Sequence, residues 1–246
     1  MASFRRAMEI GVDVLETDVH MTRDGHLVIS HDATAVRAAG VGRSIADCSW
    51  SEVQSWDAGS TFVDPDGERS FAGAGIRIPE LDELLAVSSG VRLNVDIKPC
   101  EPAMVGPVLD LLDRHGAAER VTLASYHRSV IREVRARGFV GQTVLCRDEV
   151  LALVALPAPL FRRLPAMGQR VQIPVHAGPI ELGSRRFMDK CHRLDLAVDY
   201  WTVNDPIEAE VLLHRGADGV MTDDPAAIQP VFDRIRQRPA QRRGDS

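Results

Sequence analysis

Two short runs combine acidic and basic side chains at spacings that a β-strand would organise. In Val14-Leu15-Glu16-Thr17-Asp18-Val19, residues two apart share a face when the run is extended. Glu16 and Asp18 then point one way, and Leu15, Thr17 and Val19 the other. In Leu93-Asn94-Val95-Asp96-Ile97-Lys98 the same alternation groups Asn94, Asp96 and Lys98 against three aliphatic residues. Carboxylates gathered on one side repel one another. A hard divalent cation relieves that repulsion, and oxygen ligands suit Mg²⁺ or Ca²⁺. Glu16, Asp18 and Asp96 are therefore the expected metal ligands, with Lys98 offsetting further negative charge. The competing reading pairs these acids with arginines at a strand end; Asp96 and Lys98 on a second strand weigh against it. His31 closes a further extended run, and the Asp24-Gly25 turn returns it towards the acid pair. There it can move a proton near neutral pH. His20, on the face of Glu16 and Asp18, is the weaker candidate, and the other histidines read as surface or packing residues.

The elements that must position these groups alternate between strand-like and helical runs. A helix over 3–10 stops at Gly11, a strand covers Val12–Val19, and Leu27–His31 is an extended excursion. Residues 34–78 are rich in Gly, Ser, Asp and Ala, with weak periodicity, and read as an insertion within a single domain of 1–246. Pro79-Glu80 opens a helix, with Pro at its first position. Strands follow at Arg92–Lys98, Val121–Ser125, Gly141–Leu145, Arg170–Val175, Ala197–Val203 and Gly219–Thr222. Helices are expected near 103–115, 128–137, 148–155 and 182–194, then after Asp205-Pro206 and Asp224-Pro225. Such alternation predicts a parallel sheet with helices outside, and 246 residues fit one α/β barrel. Seven barrel-type strands are one short of (β/α)₈ closure, and the chain opens on a helix. The expected fold is thus a TIM (β/α)₈-type barrel lacking its first strand.

Composition removes other classes. Hydrophobic residues at 45% and charged residues at 26% exclude a disordered or collagen-like chain. No apolar run reaches the length of a membrane span. A net charge of −6 argues against a nucleic-acid partner. The one cationic cluster is Arg234, Arg236, Arg238, Arg242 and Arg243, read as a solvated tail. Cys48, Cys100, Cys146 and Cys191 form no CxxC pair and read as small buried or half-buried thiols. The first residues lack the apolar core of a signal peptide, so the cytoplasm is the default compartment, unless a signal preceded them.

Four motifs, in order, resemble the glycerophosphodiester phosphodiesterase family. They are Glu16-Thr17-Asp18-Val19-x-x-Thr22-x-Asp24-Gly25 followed by His31-Asp32; Asn94-Val95-Asp96-Ile97-Lys98; Trp201-Thr202-Val203-Asn204; and Asp218-Gly219-Val220-Met221-Thr222-Asp223-x-Pro225. The resemblance implies a (β/α)₈ barrel that hydrolyses phosphodiesters such as glycerophosphocholine to glycerol 3-phosphate and an alcohol. It implies a divalent metal held by acidic residues and a pair of histidines as acid and base. Asp96 stands where the family most often has Glu, one methylene longer. Trp201, on the face of Val203 at a strand end, is a candidate contact for the glycerol or the alcohol, against a core tryptophan as the alternative. The family's opening strand, ending in His-Arg-Gly, and the Glu-Asn-Thr after it have no counterpart here. A start further upstream is the expectation, because His31, Glu16, Asp18, Asp96 and Lys98 are all retained; a truncated paralogue is the other. Without that strand the expectation is unpaired edges at 12–19 and 219–222 and turnover slower by about a hundredfold or more. Two further readings stand beside hydrolysis of small glycerophosphodiesters: a phosphodiester-binding barrel without turnover, and a phosphodiesterase acting on lysolipids or sphingolipids.

Overall fold

A computed structural model describes residues 1–64, 66–165 and 168–237. The chain forms two units, Val14–Arg147 with Met1, and Ala2–Asp13 with the chain from Asp148 onward.

The first unit carries β1 (Val14–Met21), β2 (Leu27–Ile29), β3 (Thr34–Ala35), β4 (Val41–Ser44), β5 (Arg92–Ile97), β6 (Val121–Ala124) and β7 (Gln142–Thr143). Its main sheet has the order β2-β1-β5-β6-β7. β1, β5, β6 and β7 run parallel, and β2 turns back antiparallel on β1. The parallel neighbours are joined through helices, among them Leu81–Val87, Val105–Arg114 and Arg128–Ala136. Each helix buries one apolar stripe, such as Val130, Ile131 and Val134, as an amphipathic covering helix must. Alternation within β1 and β5 buries Leu15, Thr17, Val19, Leu93, Val95 and Ile97. Asp18, Asp96 and Lys98 keep some exposure.

Several boundaries differ from the sequence expectation. The first strand runs to Met21, because Val19, His20 and Met21 pair with Ile29, Val28 and Leu27 in a hairpin. Gly25, at φ +90, supplies the turn conformation that side chains rarely adopt. The same hairpin covers the C-terminal end of the β1 edge that was expected to stand unpaired. Pro79 is not the first helical residue; Glu80 is the N-cap, and the Pro79 carbonyl accepts the Ile29 N–H at 2.8 Å. The segment 34–78 holds more order than its weak periodicity suggests. Ala35, Ile45, Cys48, Val53 and Ile78 pack with Val28 into a small core, flanked by Trp50 and Trp56.

The second unit carries β8 (Arg170–Ile173), the hairpin β9 (His176–Ala177) and β10 (Ile180–Glu181), then β11 (Ala197–Tyr200) and β12 (Gly219–Val220). Parallel β8, β11 and β12 have the order β12-β11-β8. All seven expected parallel strands are therefore present across the two units. The expected helix at 182–194 shortens to Arg185–His192, because the β9–β10 hairpin and the Ser184 N-cap occupy the residues before it. Asp205 caps the helix Pro206–Arg215 by accepting the Ile207 N–H at 2.8 Å, and Gly216 ends it at φ +113. Arg234 and Arg236 lie on the last helix, Pro225–Gln237, while Arg238, Arg242 and Arg243 fall outside the described residues. Cys48, Cys146 and Cys191 are buried free thiols, but Cys100 is exposed, contrary to the expectation. No helix among the described residues is long and apolar enough to cross a membrane.

Candidate active site

Register builds the site. Parallel pairing of β1 with β5 sets Glu16 beside Asn94 and Asp18 beside Asp96. Neighbouring strands lie about 4.8 Å apart, so two carboxylates of one rank stand close enough to need a cation between them. Lys98 provides it. Its Nζ donates to Asp18 Oδ1 at 2.8 Å and to Asp96 Oδ2 at 2.8 Å. Burial alone would lower the lysine's pKa, but the hydrogen bonds and charges of both aspartates outweigh it and raise the pKa above the ordinary lysine value. The ammonium is thus fully charged at neutral pH.

Asp96 Oδ1 is buried with no hydrogen-bond partner. A buried carboxylate oxygen without a donor is costly unless a cation takes it up. That orphaned acceptor and an all-oxygen acidic set suit a hard divalent ion. Among the described residues, however, no three His, Cys, Asp or Glu side chains form a group that could hold a metal. The structure brings Asp18, Asp96 and Lys98 together. Glu16 shares their strand face two residues back but is exposed.

The segment carrying His31 returns to this point. Ser30 N donates to the Asp18 carbonyl at 3.0 Å, and Ser30 Oγ donates to the Asp32 carbonyl at 2.8 Å. His31 is exposed, and its Nδ1 pairs with Asp32 Oδ1 at 2.7 Å. Arg37 Nε donates to Asp32 Oδ2 at 2.8 Å. The His31 hydrogen bond, and then that of Arg37, hold the Asp32 carboxyl below its usual range. An imidazole whose Nδ1–H is held by a carboxylate offers Nε2 for proton transfer. Sequence reasoning missed Asp32 and Arg37 in this role, although an acid directly after His31 and an arginine five residues beyond it were visible. His20 is buried with its Nε2 unpartnered. Burial lowers its pKa against the opposing pull of the His31 backbone and the Asp18 charge, which favours the neutral ring.

Trp201 belongs to the second unit. It follows β11 directly, is 44% exposed, and donates its backbone N–H to the Ile173 carbonyl at 3.1 Å. That exposure excludes the core-tryptophan alternative. The residues after it lock to the last motif. Asn204 Oδ1 accepts from Thr222 Oγ1 and from the Asp223 N–H, each at 2.9 Å, while Asn204 Nδ2 donates to Asp223 Oδ2 at 3.1 Å.

Comparison with known proteins assigns the family and the fold. The model of the glycerophosphoryl diester phosphodiesterase family matches residues 1–227. A glycerophosphodiester phosphodiesterase of Caldanaerobacter subterraneus subsp. tengcongensis is 28% identical, over 93% of this chain and 89% of that protein. A lysophospholipase D of Homo sapiens is 24% identical, over 93% of this chain and 80% of that protein. Among solved structures, a glycerophosphoryl diester phosphodiesterase domain from Mycobacterium tuberculosis superposes with a TM-score of 0.79 at 18% identity, over 93% of this chain and 91% of that one. An Oleispira antarctica phosphodiesterase in complex with the product sn-glycerol-3-phosphate gives 0.72 at 21% identity, over 94% and 90%. These likenesses show the fold, an α/β architecture of TIM-barrel type.

Proposed function

The chain belongs to the glycerophosphoryl diester phosphodiesterase family and is a phosphoric diester hydrolase, and from that premise we propose that it cleaves glycerophosphodiesters to glycerol 3-phosphate and an alcohol with the aid of a divalent metal. The observation that carries this reading is Lys98, charged and held between Asp18 and Asp96 beside an orphaned carboxylate oxygen. Asp18 and Asp96, brought together on neighbouring strands, would hold Mg²⁺ or Ca²⁺, and Glu16, two residues back on the same strand face, is the third proposed ligand, although the three form no ready metal group among the described residues. Such an ion supplies Lewis-acid polarisation of the phosphate when bound. Lys98 places a fixed positive charge where negative charge grows on the phosphoryl oxygens. Asp32, itself fixed by Arg37, orients His31, whose Nε2 transfers one proton as water adds to phosphorus and the phosphorus–alcohol bond breaks. Trp201, exposed directly after β11, is the residue proposed from its sequence motif as a contact for the glycerol or the alcohol.

A lysophospholipid is the second reading. The lysophospholipase D among the relatives and an exposed aromatic pair in the 34–78 segment favour it; Phe62 and Phe71 stack edge to face at 5.2 Å. The test is release of glycerol 3-phosphate from a panel of glycerophosphodiesters, with and without chelator, alongside choline release from lysophosphatidylcholine. Chelator-sensitive release supports the first reading. Absence of glycerol 3-phosphate from every diester refutes it.

A further inference from the structure

Beyond β6 and β7 the strand ends carry a second cationic group. Pairing of Asp96 with Ala124, and of Leu123 with Thr143, continues the Asp18–Asp96 rank across the sheet. Tyr126 lies two residues past Ala124, as Lys98 lies two past Asp96, so both follow the ends of neighbouring strands. Two hydrogen bonds stitch this turn to the β5 end: Ser125 Oγ to the Ile97 carbonyl at 2.7 Å and Ser129 Oγ to the Cys100 carbonyl at 3.1 Å. Tyr126 is 60% exposed, and the edge of its ring meets His127. The Arg147 guanidinium sits over the ring, 5.5 Å from its centroid. No carboxylate pairs with Arg147 among the described residues, whereas Arg37, Arg137 and Arg170 each hold one. A guanidinium held on an aromatic face keeps its in-plane N–H donors free for an oxyanion.

We propose that Tyr126 and Arg147 form a specificity subsite for the alcohol part of the diester, selecting alcohols that carry a second anionic group, a phosphate or a carboxylate. Two strand spacings, roughly 10 Å, separate the β7 end from the Asp96 strand, a span that suits the far end of a short alcohol rather than the scissile phosphate. A quaternary ammonium finds its aromatic face already taken and meets a like charge. This inference rests on the proposed diester substrate and adds the class of its alcohol.

The test compares four diesters: glycerophosphocholine, glycerophosphoglycerol, glycerophosphoglycerol bearing a terminal phosphate, and glycerophosphoserine. The wild-type enzyme is expected to prefer the terminal phosphate or the serine carboxylate in kcat/KM, and those two arms separate the anion sources. Arg147→Met keeps the side-chain length and removes the charge. It should cost about 10- to 100-fold on the preferred anionic diester, the range of one charge-assisted hydrogen bond, and leave choline and glycerol diesters within about twofold. Tyr126→Leu removes the ring face that holds the guanidinium and should weaken the same preference for the anionic diester, in the same direction as Arg147→Met. Calorimetric binding of the phosphate-bearing and unmodified glycerol diesters, in chelator, reads the same preference without turnover. An enzyme inactive on every diester that still binds the anionic one more tightly through Arg147 refutes the catalytic reading and keeps the subsite. Equal losses on all diesters, no loss on any, or binding without preference for the anionic diester overturns the subsite.

Discussion

Removing the Lys98 charge leaves two carboxylates facing each other across neighbouring strands. In Lys98→Met the side-chain volume stays close to that of lysine, so packing changes little. Each aspartate oxygen lies 2.8 Å from Nζ, so the two stand no more than about 5.6 Å apart. At an effective dielectric of about 20, unit charges at that separation repel by roughly 3 kcal/mol. Both side chains are mostly shielded, Asp18 at 14% and Asp96 at 20% exposure, so water cannot remove that penalty. For a domain of this size about 3 kcal/mol corresponds to a melting temperature lower by roughly 6–12 °C. The sign with pH follows from linkage. In the wild type, Lys98 has a raised pKa, so its stabilisation is fully present below the unfolded lysine value of about 10.4 and is lost only as pH rises through the folded value. This source contributes no slope between pH 5 and 9. In the variant, one aspartate takes up a proton more readily in the folded state than in the unfolded one, so the deficit shrinks as pH falls towards about 4 and widens above it. Millimolar Mg²⁺ or Ca²⁺ should restore part of the loss by binding the folded state. Turnover should fall by about 10²–10³. Melting followed by circular dichroism from pH 4 to 9, with and without the ion, reads all of this. A methionine variant that melts with the wild type at pH 8, or a deficit independent of pH, refutes the account of the Asp18–Lys98–Asp96 bridge.

His31→Gln should lower kcat by about 10²–10⁴ while leaving the melting temperature within a degree or two, because the ring is exposed and anchors no core; a comparable loss of stability would contradict the catalytic assignment. Trp201→Ala should raise KM more than it lowers kcat, measured on glycerophosphocholine, since its ring is exposed; an unchanged KM would count against substrate contact. Asp199→Ala should destabilise by about 3–5 kcal/mol in urea, because it strands Arg170, which now pairs with it through Nε at 2.8 Å and Nη2 at 2.5 Å; a loss under about 1 kcal/mol would show that Arg170 reaches solvent instead.

Face assignment was legible in the sequence because it depends only on the period of two. Leu15, Val19, Leu93, Val95 and Ile97 are buried as their alternation requires. Which residue of β1 stands beside which of β5 was not legible, since nothing local in either run specifies register across 70 residues of chain. That register is what puts Asp18 beside Asp96 and makes Lys98 a bridge rather than a neighbour. The cap at Asp205 and the stop at Gly11 are legible because a single residue decides each. The core of the 34–78 segment escaped because its members, from Val28 to Ile78, are scattered through loops and very short elements with no shared period. The β9–β10 hairpin escaped for a related reason: two residues per strand are too few to show alternation.

Of the 29 basic residues only Lys98 and Lys190 are lysines, and each donates to two acceptors. Lys190 Nζ donates to the carbonyls of Leu153 and Leu156, at the end of the helix Arg147–Ala155. Lys98 Nζ donates to carboxylates on two strands. The acceptors decide the sign of the pKa shift. Burial lowers that of Lys190, whose carbonyl acceptors carry no net charge, while the two aspartates outweigh burial at Lys98 and raise it. Arginine binds an acid through a planar fork, as Arg170 does with both oxygens of Asp199, and so takes up the whole carboxylate. An ammonium is a point donor that needs one oxygen from each acid. At Asp96 that leaves Oδ1 unshared, and an unshared acidic oxygen beside a fixed positive charge is what a site needs to hold a metal and a phosphate together. At Lys98 the chain thus places positive charge without a planar fork.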